Sequence, residues 1–134
     1  MRGKIVWVTG SSAGVGLHVA KQCAQRGATL AICGRRRAPL QTTLEELQSM
    51  GCEAMAVVGD VGDPRQCRSM YEQIVNELGP IDVLVNNAGA HFRGPFMSHS
   101  GEFHAEMISV NLQAPILLSS LVLPEMLRRR EGAI

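Results

Sequence analysis

The stretch Lys4–Gly16, KIVWVTGSSAGVG, decides the fold. Lys4 to Thr9 is a short apolar run that stops at a glycine, the pattern of a buried strand. Gly10, Gly14 and Gly16 then punctuate a tight turn. Beyond it Val15, Val19, Ala20, Cys23 and Ala24 recur at helical spacing until Gly27 breaks the pattern. A buried strand, a glycine turn and an amphipathic helix form the first half of a parallel βαβ unit.

The alternation continues outward. Thr29–Cys33 (TLAIC) reads as a second strand, and Pro39 opens a helix with Leu40, Leu44 and Leu47 on its inner stripe, ended by Gly51. Glu53–Val58 (EAMAVV) is a third strand. Asp63 and Pro64 supply the cap and first residue of the next helix, whose inner face is Cys67, Met70, Tyr71, Ile74, Val75 and Leu78. Ile81–Val85 is a fourth strand, followed by a glycine-punctuated loop to about Ser100. A long helix is predicted over Glu102–Arg130, with Ala133 and Ile134 opening a fifth strand. The fold class is therefore α/β, a doubly wound parallel sheet with right-handed crossovers, in one domain spanning 1–134.

Composition narrows the function. Thirteen basic and twelve acidic residues leave a formal charge of +1, which argues against a large nucleic-acid footprint. A 46% hydrophobic and 19% charged composition argues against disorder. Cys23, Cys33, Cys52 and Cys67 form no CxxC pair and have no histidine at ligand spacing, so buried or free thiols and no metal site are expected. MRGKIVWVTG runs straight into a strand, so the expectation is a cytoplasmic chain without a targeting segment. The run Leu112–Leu127 is broken by Gln113, Glu125 and two prolines, and no membrane span is expected from it.

The turn Thr9-Gly10-Ser11-Ser12-Ala13-Gly14-Val15-Gly16 carries the first functional signal. Gly10 permits the sharp turn, Gly14 admits a pyrophosphate close to the backbone at a helix N-terminus, and Gly16 allows close helix–strand packing. The spacing is GxxxGxG, not the dinucleotide fingerprint GxGxxG. A glycine turn that binds nothing is the alternative, but its place in the first βα unit favours a nucleotide. Three further motifs converge with it. Asp60-Val61 ends the third strand, Asn86-Asn87-Ala88-Gly89 ends the fourth, and Asn111 lies within the long helix.

Together these motifs resemble the short-chain dehydrogenase/reductase family, in register over the whole chain. The resemblance implies a Rossmann-like sheet with strand order 3-2-1-4-5-6-7 and a nicotinamide cofactor across the carboxyl ends of the strands. It implies that Gly10, Ser11, Ser12, Gly14, Val15 and Gly16 form the pyrophosphate and ribose loop. Asp60 would bond the adenine amino group with Val61 beside the ring, and Asn87, Ala88 and Gly89 would wall the ribose. Asn111 would be the active-site asparagine of the proton relay. Standing alone, Asp60 would be a solvated strand-end carboxylate and Asn87 a turn residue.

An NAD-preferring fold places an acid at the end of the second strand. Here that place holds Gly34, followed by Arg35, Arg36 and Arg37, with no neighbouring carboxylate to cancel them. Missing acid and added base together point to NADP(H) over NAD(H), with Arg35, then Arg36, on the 2′-phosphate. A solvated basic loop is the alternative. One departure from NADP-using relatives is Ala13, where many carry a second basic residue. Pro115, four residues after Asn111, removes the helical donor of the Asn111 carbonyl and leaves it for a water, or marks a tolerated kink with Asn111 satisfied by a nearby loop.

The family's chemistry also requires a serine and a YxxxK pair. The only tyrosine is Tyr71, with Val75 at that spacing, and the only lysines are Lys4 and Lys21. The expectation is thus the cofactor half of an oxidoreductase that acts on a carbonyl or alcohol, truncated before its fifth strand. A non-catalytic nucleotide-binding protein, or a subunit needing a second chain, stays open. His91 and His99 read as solvated loop residues, His18 and His104 as helix-surface residues, and Phe92 and Phe96 as pocket wall or plain packing. An unpaired Val83–Val85 edge and a Glu102–Arg130 helix exposing Met107, Leu117, Leu118 and Leu121 lead to the expectation of a homo-oligomer through that helix.

Overall fold

A computed structural model describes residues 1–134. Its strands are β1 (Ile5–Thr9), β2 (Thr29–Gly34), β3 (Ala54–Val58) and β4 (Val83–Val85). Its helices are α1 (Gly14–Gln25), α2 (Arg37–Ser49), α3 (Pro64–Leu78), α4 (Gly101–Ile108) and α5 (Ala114–Arg129). The strands form one parallel sheet in the order β3-β2-β1-β4, the arrangement expected for a Rossmann-like fold up to its fourth strand.

Period-two alternation along the strands builds two cores. Trp7, Ala31, Cys33 and Leu84 face one side, where Cys67, Met70 and Ile74 of α3 and Leu118, Val122 and Met126 of α5 cover them. Val6, Val8, Leu30 and Ile32 face the other side, under Ala20 and Cys23 of α1 and Leu40 and Leu47 of α2. Helices on both faces explain why the strands read as continuous apolar runs. The four thiols are free, and only Cys52 is not fully buried.

Local chemistry sets the element ends. The Asp63 carboxylate accepts from the Arg65 N–H at 2.8 Å and caps α3, with Pro64 next in line. Its side-chain bond from Gln66 and that N–H hold it below the usual carboxylate range. At the amino end of β4, Asp82 is 7% exposed. It accepts from the Ile5 N–H at 2.9 Å and from Arg129 Nη1 at 2.7 Å, so it ties β1 to the end of α5. Burial opposes its charge, yet the Ile5 N–H, Arg129 and Lys4 hold its carboxyl below the ordinary range.

The long helix departs from the sequence reading in three ways. It is continuous over Gly101–Arg129, but α4 and α5 are joined by a π-helical segment, Ser109–Gln113. Its 29 residues are long and apolar enough to cross a membrane by length and composition only, a longer stretch than the Leu112–Leu127 run. The buried stripe Ala114, Leu118, Val122 and Met126 gives much of that apolarity a place in the core. Leu118, expected on the open side, is 1% exposed, and Leu117 and Leu121 also pack against the core. The exposed apolar face is instead Ile108, Leu112, Ile116, Leu123 and Leu127. The free edge of β4 is also partly covered. Ala133 bridges Val83 in parallel, donating to the Asp82 carbonyl and accepting from the Leu84 N–H, each at 3.0 Å.

Candidate functional site

A groove of about 620 Å³ runs across the carboxyl ends of β1, β2, β3 and β4, where open α/β sheets bind ligands. Gly10, Ser12, Gly14, Val15, Arg35, Arg36, Asp60, Val61, Asn87, Ala88 and Gly89 all line it. Residues from four separate stretches of sequence thus meet on one surface.

The loop after β1 is fixed by its own polar groups. Thr9 is 1% exposed, and its Oγ1 accepts from the N–H groups of Asn87 (3.0 Å) and Ala88 (2.9 Å) while donating to the Val85 carbonyl (3.2 Å). The Asn87 amide donates to the carbonyls of Thr9 (2.8 Å) and Gly10 (3.2 Å). A side chain on Gly10 would lie 2.8 Å from the Ala88 Cα, so only glycine lets the β1 and β4 loops touch. Thr9 was not singled out by the sequence reading, and its place as the last residue of a buried strand was the available signal.

Two assignments to the loop change. Ser11 is fully buried, and its hydroxyl donates to the Val8 carbonyl at 2.9 Å and accepts from the Cys33 N–H at 3.1 Å. It braces the loop from behind and does not line the groove. Gly16 also lies off the groove wall, and its tight neighbours are not a strand. A Cβ there would strike the Asn87 amide nitrogen and lie 2.5 Å from the Gly10 carbonyl oxygen. Gly14 is the opposite case: at φ +57° its side-chain position meets nothing within 4 Å, which leaves the helix N-terminus open to an anion.

At the end of β2, a Cβ on Gly34 would stand 3.3 Å from Ser12 Oγ. A side chain there would need Ser12 Oγ to give by a few tenths of an ångström. Arg35 and Arg36 follow on the groove wall, and Arg37 begins α2. The sequence reading found no carboxylate beside these arginines. The fold supplies one: Arg35 Nη1 lies 3.8 Å from Asp60 Oδ2, because parallel pairing of β2 with β3 aligns their carboxyl ends. Asp60 is fixed by the Gly62 N–H, which donates to its Oδ1 at 2.8 Å. Cys33 adds a thiol to the floor, where burial pushes its pKa up to about 11.

Asn111 sits inside the π-helical segment, away from the groove lining. Its Oδ1 accepts from the Ala90 N–H at 3.0 Å and its Nδ2 donates to the Ala90 carbonyl at 2.6 Å. The neighbouring-loop option therefore holds for the side chain. The Asn111 carbonyl faces Pro115, which has no N–H four residues on. π-Helical insertions concentrate at functional positions. His91 lines the groove, while His99 stacks on Phe103 and His104 on Phe96, both with centroids 4.1 Å apart. Phe92 joins that exposed cluster edge-on to His99, so it and Phe96 serve packing between the loop and α4.

The model of the short chain dehydrogenase family matches residues 4–134. The chain belongs to this family. A short chain dehydrogenase of Pseudocercospora fijiensis is 35% identical over the whole of this chain, which covers 44% of that relative. L-sorbose reductase from Gluconobacter frateurii, solved with NADPH and L-sorbose, superposes with a TM-score of 0.94 at 30% identity, over 100% of this chain and 51% of that one. A metagenomic short-chain oxidoreductase solved with NADP gives a TM-score of 0.93 at 30% identity, over 98% of this chain and 60% of that one. This short-chain dehydrogenase/reductase chain spans about half the length of such relatives, and its match is to their N-terminal portion.

Proposed function

We propose that this chain is the cofactor-binding portion of an NADP(H)-dependent oxidoreductase acting on a carbonyl or alcohol. The observation that carries the reading is the end of β2: glycine against Ser12 Oγ where an acid would stand, then Arg35 and Arg36 on the groove wall. The open face of Gly14 fits a pyrophosphate, and the two guanidinium groups fit a 2′-phosphate through charge-assisted hydrogen bonds. Structural neighbours solved with NADP or NADPH support the same choice. When bound, the nicotinamide would supply or accept the hydride.

The chain's own residues then have limited tasks. The glycine loop orients the pyrophosphate, Asp60 and Val61 bound the adenine end, and Asn87, Ala88 and Gly89 close the side toward β4. Asn111 fastens the loop after Gly89 and offers its carbonyl to a water. The exposed face Ile108, Leu112, Ile116, Leu123 and Leu127 favours a homo-oligomer over a monomer.

The test is a titration of the folded chain with NADPH and NADH at one salt concentration, read by nucleotide fluorescence. NADPH is expected to bind more tightly. Equal affinities would overturn the assignment of the arginine loop.

A further inference from the structure

The geometry points to an exchange of partners at Arg35: Asp60 holds this guanidinium across the mouth of the groove, and a 2′-phosphate takes it over on binding. Asp60 would thereby be a specificity-determining residue that tempers the preference for the phosphorylated cofactor. The inference rests on the NADP(H) reading above.

Three observations carry it. First, the pair bridges the ends of adjacent strands. The Gly59 N–H donates to the Gly34 carbonyl at 3.1 Å, so Arg35 and Asp60 leave the sheet side by side. Second, the two partners differ in freedom. Asp60 is anchored, with Oδ1 on the Gly62 N–H and its own N–H on Gln66 Oε1 at 3.0 Å. Its side chain is 35% exposed, whereas that of Arg35 is 73% exposed and holds only this 3.8 Å contact. The mobile cation thus rests on a fixed anion through one long, solvated ion pair. Such pairs are weak, so a dianionic phosphate displaces the carboxylate readily. Third, Arg35 and Asp60 line both the cofactor groove and a neighbouring hollow of about 590 Å³ that also holds Asp63 and Glu106.

Two consequences follow when the charge at Asp60 is removed. Loss of any contact to adenine weakens phosphorylated and unphosphorylated ligands alike and cancels from their ratio. Loss of the competing carboxylate strengthens only the ligand that carries a 2′-phosphate.

The experiment is a calorimetric titration with 5′-AMP and adenosine 2′,5′-bisphosphate, probes that need only the adenosine end of the groove. It compares the unmutated chain, Asp60→Asn, Arg35→Ala and the double variant. Asp60→Asn is expected to raise the preference for the bisphosphate by about two- to fivefold, the range of an exposed ion pair. With Arg35→Ala already present, the same change is expected to leave the preference within about 1.5-fold, since the pair is absent. An unchanged ratio in Asp60→Asn, or an equal rise in the Arg35→Ala background, overturns the exchange while the NADP(H) reading stands. No preference for the bisphosphate in the unmutated chain overturns that reading and the exchange with it. If Asp60→Asn does not fold, Asp60→Ser, which keeps an acceptor for the Gly62 N–H, is held to the same outcomes.

Discussion

Asn111 and Ala90 are bound to each other twice, with the side-chain amide of one reproducing a peptide against the backbone of the other. This pair fastens the loop after β4 to the π-helical segment of the long helix. Asn111→Ala removes both bonds. The Ala90 groups are exposed, so the cost is expected to be about 1 kcal/mol in thermal or denaturant unfolding. Backbone amide exchange at Ala90 and its neighbours should accelerate more than exchange in the sheet. Asn111→Asp should be worse than Asn111→Ala at neutral pH, because a carboxylate then faces the Ala90 carbonyl. It should improve below about pH 4, where the protonated acid donates again.

Arg35→Ala is expected to narrow the gap between NADPH and NADH. It removes a charge-assisted contact of about 1.5–3 kcal/mol that only the 2′-phosphate makes. Arg36→Ala should narrow it less, since Arg35 is the first basic residue past Gly34. Titrations of both variants beside the unmutated chain decide the ranking. A fall in NADH affinity equal to the fall in NADPH affinity would assign Arg35 to the shared part of the cofactor.

The order of elements and both helical layers were legible in the sequence because the strands are buried on both faces and each helix carries one apolar stripe. Asp63 and Pro64 were legible as a cap for the same local reason. The contact of Arg35 with Asp60 was not, since 25 positions separate them and only the pairing of β2 with β3 aligns their ends. The π-helical segment left one trace, Pro115. That Ser11 and Gly16 face away from the groove is not legible, because a glycine-rich turn announces its shape but not which members face inward. The burial of Leu118 was not legible because truncation exposes the helix without indicating which of its faces α3 covers, and Leu118 falls on the same buried stripe as Ala114.

Two glycines of one loop should respond differently to alanine. Gly16→Ala drives a methyl into the Asn87 amide and the Gly10 carbonyl, so backbone must move. Overpacking of this kind costs about 1–3 kcal/mol and should lower the melting temperature along with nucleotide affinity. Gly14→Ala has open space around the new methyl and pays only about 1 kcal/mol for its positive φ. It should fold and lose nucleotide affinity, because that open space is where the pyrophosphate is proposed to sit. Melting curves with and without NADPH separate the two.

Asp82 supplies acid sensitivity. Its folded carboxyl lies below the ordinary range, so its contribution is present above the unfolded pKa of about 3.9 and is lost as pH falls through the lower folded value. Asp82→Asn weakens the bond from Arg129, which keeps Glu125 at 3.5 Å, so the effect is about 2 kcal/mol. Denaturant unfolding should show that loss at pH 7. The gap between variant and unmutated chain should then shrink as the pH falls below 4.

The 134-residue chain by itself is expected to show no reductase or dehydrogenase turnover. The groove holds groups suited to a pyrophosphate, an adenine and a 2′-phosphate, and apart from His91, exposed on the loop after β4, none suited to delivering a proton to a carbonyl oxygen. Tyr71 is on α3, packed against the core beneath the sheet, and lines no part of the groove. A phenol needs a nearby cation to bring its pKa of about 10 toward neutrality. Both lysines are engaged elsewhere: Lys4 with Glu131, and Lys21 with Glu46 at 2.6 Å. Cys33 is held as a thiol by burial. Absence of general acid catalysis alone costs about a hundred- to ten-thousandfold in rate. The measurement is NADPH consumption over a panel of ketones and aldehydes, with purified chain of verified mass. Steady turnover at ordinary enzyme rates would mean that a group in this groove does the acid chemistry. His91, the one histidine on its wall, would then be the first residue to replace.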